Sequence, residues 1–192
     1  MRFRPAAAAA LALTTVVGLA AYLWPFFAAP GFSTSYGQDA PWLFASLLGL
    51  MAFVVLAEVT ANGLDAKTVA VLGVLAAAGG SLRVLSAGTA GLEPIFVIFV
   101  LGGRVLGRSM GFLMGSLAML AGAFLTAGVG PWLPFQMLGA GWVALGAAML
   151  PRATGRVELA MLAGYGAFAG LAYGVLLNLW FWPFLAPASA PT

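Results

Sequence analysis

Apolar runs long enough to cross a lipid bilayer, separated by short polar segments, dominate this sequence. A spanning helix needs about 20 predominantly apolar residues. Hydrophobic residues make up 63% of the chain and charged residues 7%, whereas soluble domains carry roughly a quarter charged residues. The 192 residues leave room for about six to eight such helices. The sequence therefore predicts an all-α, polytopic transmembrane helical bundle of about seven segments, with packing through small residues.

Turn residues and charges separate the predicted spans. These spans cover residues 5–29, 41–57, 67–86, 94–103, 109–127, 134–150 and 157–182. The first could instead be a signal peptide, although it is longer than a signal core of about 7 to 15 residues. We expect two extra N-terminal helices in residues 1–64, a helical core in 65–183 and a loose, proline-rich tail in 184–192.

The basic residues indicate an orientation in the cell membrane. With a cytoplasmic N-terminus, the predicted spans put almost every Lys and Arg on the cytoplasmic side, as the positive-inside rule expects. These residues are Arg2, Arg4, Lys67, Arg104, Arg108, Arg152 and Arg156. The connection between the fifth and sixth spans is then extracellular. Aromatic residues 180–182 and Phe184 fall at the predicted outer boundary, where we interpret them as interfacial anchors.

The composition argues against several kinds of chemistry. The chain has no cysteine and no histidine, which removes disulfides, thiolate nucleophiles, the common zinc motifs and His-dependent catalytic triads. Its five acidic residues are scattered along the chain, whereas a lipid-modifying enzyme needs acid–base groups at one depth. We predict no catalytic residue, no metal site and no cofactor. The net charge of +3 is ascribed to orientation rather than to nucleic-acid binding.

Glycines recur every four residues in two places, a spacing that puts small residues on one helix face. The two series are Gly103, Gly107, Gly111 and Gly115, and Gly166, Gly170 and Gly174. We interpret both mainly as close packing within the bundle. The third span has a further small face, formed by Gly73, Ala76, Ala77 and Gly80, which suits internal packing and the docking of a second protein equally well.

The segment between the fifth and sixth spans combines a restricted backbone with groups that could bind a ligand. Pro131 and Pro134 limit its shape. Trp132, Phe135 and Gln136 supply flat apolar surface and an amide. Trp132 alone fits an interfacial anchor better, but the combination leaves anchoring and binding both open.

Polar side chains within the spans are the remaining candidates for substrate binding. Arg83 is costly in lipid unless it is paired or faces a wet cavity. It could pair with Glu93 or serve an anionic group of a substrate. Tyr165, Tyr173 and Asn178 lie in the last span but not on one sharp face, so each is a separate candidate for lining a cavity.

Two motifs resemble those of a known family. Residues 101–107 read Leu-Gly-Gly-Arg-Val-Leu-Gly and are followed by Gly-Phe-Leu-Met-Gly at 111–115; residues 130–137 read Gly-Pro-Trp-Leu-Pro-Phe-Gln-Met. With these motifs, the stretch from Asp65 to Trp182 resembles the substrate-capture (S) component of energy-coupling factor (ECF) transporters. It is most similar to the branch of cobalamin-type S components and their actinobacterial relatives, which carry two extra N-terminal spans.

The resemblance implies a non-catalytic subunit that binds a vitamin or related micronutrient from outside, with cobalamin as the nearest analogy. Such a subunit docks on a transmembrane coupling protein driven by two cytoplasmic ATPases. The docking face would correspond to Gly73, Ala77 and Gly80 or to Ala76 and Gly80. Family members usually finish with one more helix, whereas this chain stops at Thr192. The alternative is a membrane scaffold or assembly protein that acts through its glycine-rich helix faces.

Overall fold

A computed structural model describes residues 5–23, 45–46, 48–53, 60, 66–85, 93–130 and 132–185. Within these ranges the chain is helical and contains no strand. The helices are α1 (Pro5–Leu23), α2 (Ala66–Leu85), α3 (Ile95–Leu106), α4 (Arg108–Leu125), α5 (Leu133–Met149) and α6 (Gly155–Leu185). Residues 48–53 are also helical. The predicted helical bundle is confirmed, and α2 to α6 begin and end close to the predicted bounds.

Within the described ranges, three helices are long and apolar enough to cross a membrane: Ala66–Leu85, Arg108–Leu125 and Gly155–Leu179 within α6. The other apolar helices are shorter, and they are Ala8–Leu23, Ile95–Leu106 and Leu133–Met149. Most of the predicted second span and the tail after Leu185 lie outside the described residues.

Helices α4 and α5 form the centre of the bundle. They pack extensively against each other. Helix α2 packs against α4, and α3 packs against both α4 and α5. Almost every residue of α4 from Ser109 to Met119 is buried. By contrast, α6 is covered on a narrow side only, and most of its large apolar residues are exposed. The periphery of the bundle is therefore apolar as well as its interior.

Gly107 separates α3 from α4. Its φ of 85° lies in the left-handed region that favours glycine, and its ψ is −173°. The series of four glycines from Gly103 to Gly115 therefore does not lie on one helix face, and that part of the prediction was wrong. The backbone reverses at Gly107, so Gly103 on α3 faces Gly111 on α4: a Cβ built on Gly111 would lie 2.8 Å from the Gly103 Cα.

The close packing expected for this first series is confirmed. A Cβ on Gly115 would lie 2.6 Å from the carbonyl oxygen of Ala140, and one on Gly103 would collide with the carbonyl of Ala144. Both contacts are with the backbone of α5. The missing side chains thus let α3 and α4 approach α5 at backbone distance.

The second series, in α6, does not pack in this way. Among the described residues, a Cβ on Gly174 would meet nothing within 4 Å, and one on Gly170 would only reach Phe96 at 4.0 Å. A Cβ on Gly166 would make an ordinary contact with Val100 of α3 at 3.6 Å. The series therefore faces side chains of α3, and the prediction of close backbone contact was wrong here. Large side chains of α6 instead lie over glycines of α5. Tyr173 lies over Gly139 of α5, with its Cε2 atom 2.8 Å from a Cβ built there. Tyr165 lies over Gly146 in the same manner.

Candidate functional site

The loop between α4 and α5 folds back on itself. Ala127 has a positive φ of 52°, and Gly128 N donates to the carbonyl of Ala123 at 2.8 Å. The indole Nε1 of Trp132 donates to the carbonyl of Gly128 at 3.2 Å. The Trp132 ring covers Gly130, since a Cβ there would lie 2.5 Å from the ring. These contacts fix the Trp132 side chain at the start of α5.

A cavity of about 320 Å³ lies beside this loop, between the first turn of α5 and the C-terminal part of α6. We call it the end cavity. It is lined by Trp132, Gln136, Leu177, Asn178 and Phe181. Trp132, Gln136 and Asn178 were singled out from the sequence as binding candidates, and the fold brings them together. Aromatic and aliphatic walls with two amides are the usual composition of a small-molecule site.

Sequence reasoning missed Leu177 and Phe181. Phe181 belongs to the aromatic group that was interpreted as an interfacial anchor, and Leu177 carried no signal of its own. Phe181 follows Asn178 by three residues and Leu177 by four on α6, so its side chain falls on the same helix face as theirs. That spacing is the signal that could have found them.

Arg83 reaches the rim of the end cavity from α2. Its Nη2 donates to Oε1 of Gln136 at 3.1 Å, and its Nη1 contacts the sulfur of Met119. The aliphatic part of Arg83 crosses α4 at Gly122, where a Cβ would lie 2.7 Å from the Arg83 Cδ. Because Gly122 has no side chain, a charge based on α2 can bind an amide on α5.

Tyr173 and Glu93 lie near Arg83. Both Arg83 and Glu93 act electrostatically on the Tyr173 hydroxyl. The Tyr173 ring packs edge-on against Phe96, with centroids 5.3 Å apart and planes at 80°. The three predicted residues therefore belong to the same region as the end cavity, but they do not line it. A direct pair between Arg83 and Glu93 stays a prediction.

Phe135 and Tyr165 serve the packing of the bundle. Phe135 is 1% exposed and packs edge-on against Tyr22 of α1, with ring centroids 5.1 Å apart. The Tyr22 hydroxyl also donates to the Phe135 carbonyl. Tyr165 donates to the carbonyl of Val143 at 2.7 Å. Neither residue is among those that line the end cavity.

The small face predicted on α2 is divided. The side of α2 that packs on α4 carries Leu72, Ala76, Gly79 and Gly80. A Cβ on Gly80 would lie 2.9 Å from the backbone nitrogen of Gly122, so Ala76 and Gly80 serve the interior. Gly73 and Ala77 lie at the edge of this contact and are exposed. Of the four predicted docking residues, only these two remain accessible on the surface.

The opposite end of the bundle is held by Arg104. Its guanidinium forms a two-point ion pair with Glu158, with Nε–Oε1 at 2.6 Å and Nη2–Oε2 at 3.0 Å. It also donates to the carbonyls of Leu150 at 2.7 Å and Pro151 at 2.8 Å. Glu158 in turn accepts from the backbone N–H of Ala153 at 2.9 Å. Arg104 thereby joins the end of α3 to the connection between α5 and α6.

The fold and the site define a class: an α-helical bundle that has, in its described part, three helices of membrane-spanning length and a cavity at one end. In the part of the chain that the structure describes, no group of three or more acidic residues could hold a metal ion. Comparison with protein-family models, with characterised proteins and with solved structures finds no match to this chain. The end cavity and the surfaces around it are the features of this chain that bear on its function.

Proposed function

We propose that this protein is the membrane-embedded substrate-capture (S) subunit of an ECF-type importer of a vitamin or related micronutrient. The observation that carries the proposal is the convergence of Trp132, Gln136 and Asn178 on the end cavity. The two amides stand on different helices, α5 and α6, beside aromatic surface. A site of this kind binds small molecules, and the composition gives no reason to expect chemistry on them.

A lipid environment is supported by the surface of the bundle. Several large apolar residues of α6 are more than half exposed, and they are Val157, Leu159, Phe168, Leu171, Val175 and Leu179. A soluble monomer rarely leaves so long an apolar strip in water. Together with the three helices of spanning length, this strip supports a multi-pass protein of the cell membrane.

The arrangement of charges supports an outward-facing end cavity. Arg104 lies in the last turn of α3 and contacts the connection that carries Arg152, while Arg108 and Arg156 lie in the first turns of α4 and α6. Basic residues therefore gather at the end of the bundle away from the end cavity. By the positive-inside rule that end faces the cytoplasm. The cavity then opens to the exterior and the N-terminus is cytoplasmic.

The partners follow from the family resemblance: a transmembrane coupling protein and two ATPases. The sequence contains no P-loop of its own, so energy for transport comes from the partners. The exposed pair of Gly73 and Ala77 on α2 would allow a helix of the coupling protein to approach closely.

A membrane scaffold is the second candidate, and one observation favours it. Gly166 and Gly170 face Val100 and Phe96 of α3, but a Cβ on Gly174 would meet nothing within 4 Å among the described residues, which leaves this position accessible to another helix. The two functions differ in which residues matter. A scaffold tolerates changes at Trp132 and Gln136 but not bulky residues on its glycine faces, whereas a capture subunit depends on the end cavity.

The test is a thermal-shift screen of the purified chain in detergent against a panel of vitamins, cobalamin included. A ligand at about 100 times its Kd stabilises the folded state by about 2.7 kcal/mol, which raises Tm by several degrees. Trp132→Phe should reduce this shift. Trp142→Phe is the matched control, since Trp142 bonds Thr15 of α1 at 3.3 Å and is not part of the cavity lining. Absence of a shift with every vitamin would count decisively against capture.

A further inference from the structure

The amide of Gln136 has a defined orientation. Its Oε1 accepts a hydrogen bond from Arg83, and a guanidinium can only donate. The oxygen of this amide therefore points toward Arg83, and the Nε2 group points away from Arg83. The described residues offer Nε2 no acceptor, so Gln136 presents N–H donors to the end cavity.

A hydrogen bond also fixes the orientation of the Asn178 amide, but here the amide nitrogen takes part in the bond and the oxygen does not. Its Nδ2 donates to the carbonyl of Gly174 at 2.8 Å, and a backbone carbonyl can only accept. Its Oδ1 is thereby assigned to the remaining side and receives no hydrogen bond within the described part of the chain. Asn178 thus presents an acceptor to the same cavity.

We propose that the end cavity recognises a small, neutral, ring-shaped ligand whose edge carries a carbonyl oxygen next to an N–H group. The carbonyl oxygen accepts from Gln136 Nε2, and the N–H donates to Asn178 Oδ1. Cyclic amides, imides and ureas have this edge, and primary carboxamides on a ring present the same pair of groups. The inference rests on the proposed capture function because it names the ligand class of that same site.

The walls and the volume agree with a flat ligand of one or two rings. Trp132 and Phe181 are each 41% exposed and both line the cavity, so their rings offer apolar surface to a planar molecule. The volume of about 320 Å³ lies at the lower end of the range of about 300–1,000 Å³ for ligand sites. A molecule as large as cobalamin exceeds it. The likeness to cobalamin-type S components concerns the helix layout and does not fix the size of the ligand.

The amide pattern selects against a carboxylate. A carboxylate offers acceptors but no donor, so it could satisfy Gln136 Nε2 while placing negative charge against Asn178 Oδ1. Arg83 is not among the residues that line the cavity, and its Nη2 donates to Gln136 Oε1, so the polar groups that meet a ligand directly are the two amides. The site therefore separates a neutral amide from an acid of the same shape.

Equilibrium dialysis of the purified chain in lipid nanodiscs tests this with two matched pairs of probes. Lumazine, a two-ring compound with carbonyl and N–H groups side by side, is compared with 1,3-dimethyllumazine, which keeps both carbonyls but lacks the N–H donors. Nicotinamide is compared with nicotinic acid. We expect lumazine and nicotinamide to bind about tenfold or more tightly than their partners, since an unmatched polar group costs about 1–3 kcal/mol.

Variants show whether the two amides cause the discrimination. Gln136→Glu keeps an acceptor for Arg83 but removes the donor, and Asn178→Leu removes the acceptor; each should abolish the tenfold preference for lumazine. Ser81→Ala is the control, because Ser81 is exposed and bonds the carbonyl four residues before it at 2.9 Å, as Asn178 does. It should leave the preference unchanged. Circular dichroism and size-exclusion profiles of each variant verify that it is folded.

The inference is overturned if the methylated or acidic probes bind as tightly as their partners, or if none of the four binds. Binding of cyanocobalamin without lumazine or nicotinamide would also overturn it, yet would leave the capture function intact. Conversely, selective binding of lumazine without uptake in cells that contain the coupling proteins would remove the capture function and keep the inference.

Discussion

The Arg83 side chain extends from α2 across α4 and donates a hydrogen bond of 3.1 Å to Gln136 on α5. The crossing point is Gly122, where a side chain would collide with the Arg83 stem at 2.7 Å. One glycine thus allows a charged residue to leave its own helix and orient an amide in the end cavity.

Gly122→Leu should break the contact between Arg83 and Gln136. Overpacking of a well-filled interior costs about 1–3 kcal/mol, and ligand binding should be lost with the amide orientation. Thermal unfolding in detergent and ligand dialysis measure both effects. Gly164→Leu is the control, because a Cβ on Gly164 meets nothing within 4 Å among the described residues. If both variants were equally stable, the close contact between Gly122 and the Arg83 side chain would not contribute to the stability of the fold.

The two glycine series should respond oppositely to one substitution. Gly103→Val places a branched side chain against the α5 backbone at Ala144 and should destabilise the fold by about 3 kcal/mol or more. At Gly174 a Cβ meets no described residue within 4 Å, so Gly174→Val should change stability by no more than about 0.5 kcal/mol. Size-exclusion recovery and Tm after purification compare them. Equal losses would refute the packing described for α6.

Arg104→Met should lower Tm by several degrees. It removes the ion pair with Glu158 and leaves the carbonyls of Leu150 and Pro151 without their donor. Arg104→Lys should not restore stability, because an ammonium group cannot reproduce the forked contacts. Arg156→Met, at an exposed position, serves as the control. A rescue by lysine would mean that charge alone matters there.

The proposed topology can be tested directly because the chain has no cysteine of its own. Val129→Cys introduces a thiol into the loop beside the end cavity, and Thr154→Cys introduces one at the Arg104 end; both positions are exposed. A membrane-impermeant maleimide on intact cells should label only the first variant. The second should react after permeabilisation. The reverse pattern would put the end cavity in the cytoplasm and remove the capture route.

Residue type and hydrophobic runs were enough to predict the helices and part of the site. The apolar stretches from residue 67 onward become α2 to α6, because a run of this length without paired strands satisfies its backbone only as a helix. Trp132, Gln136 and Asn178 were chosen for their chemistry, and the fold brings all three to one cavity.

Other features depend on tertiary structure and could not be predicted in this way. A four-residue repeat of glycine does not reveal that Gly107 takes a positive φ and ends a helix. Nor does it reveal which glycines receive a neighbour. Those against α6 lie in α5, at Gly139 and Gly146, outside either repeat. The sequence did not reveal that Phe181 lines the cavity, because an aromatic residue near a predicted membrane boundary is explained more simply as an interfacial anchor.

The seating of Tyr173 over Gly139 and of Tyr165 over Gly146 constrains how α6 can move. Each ring occupies the space left by a missing side chain on α5, so a shift of α6 along α5 would bring a ring against a neighbouring side chain. These two contacts therefore favour bending or tilting of α6 over sliding. Leu177, Asn178 and Phe181 lie on the C-terminal side of Tyr173 and line the end cavity, so a tilt of α6 about the Tyr173 contact would displace this wall of the cavity.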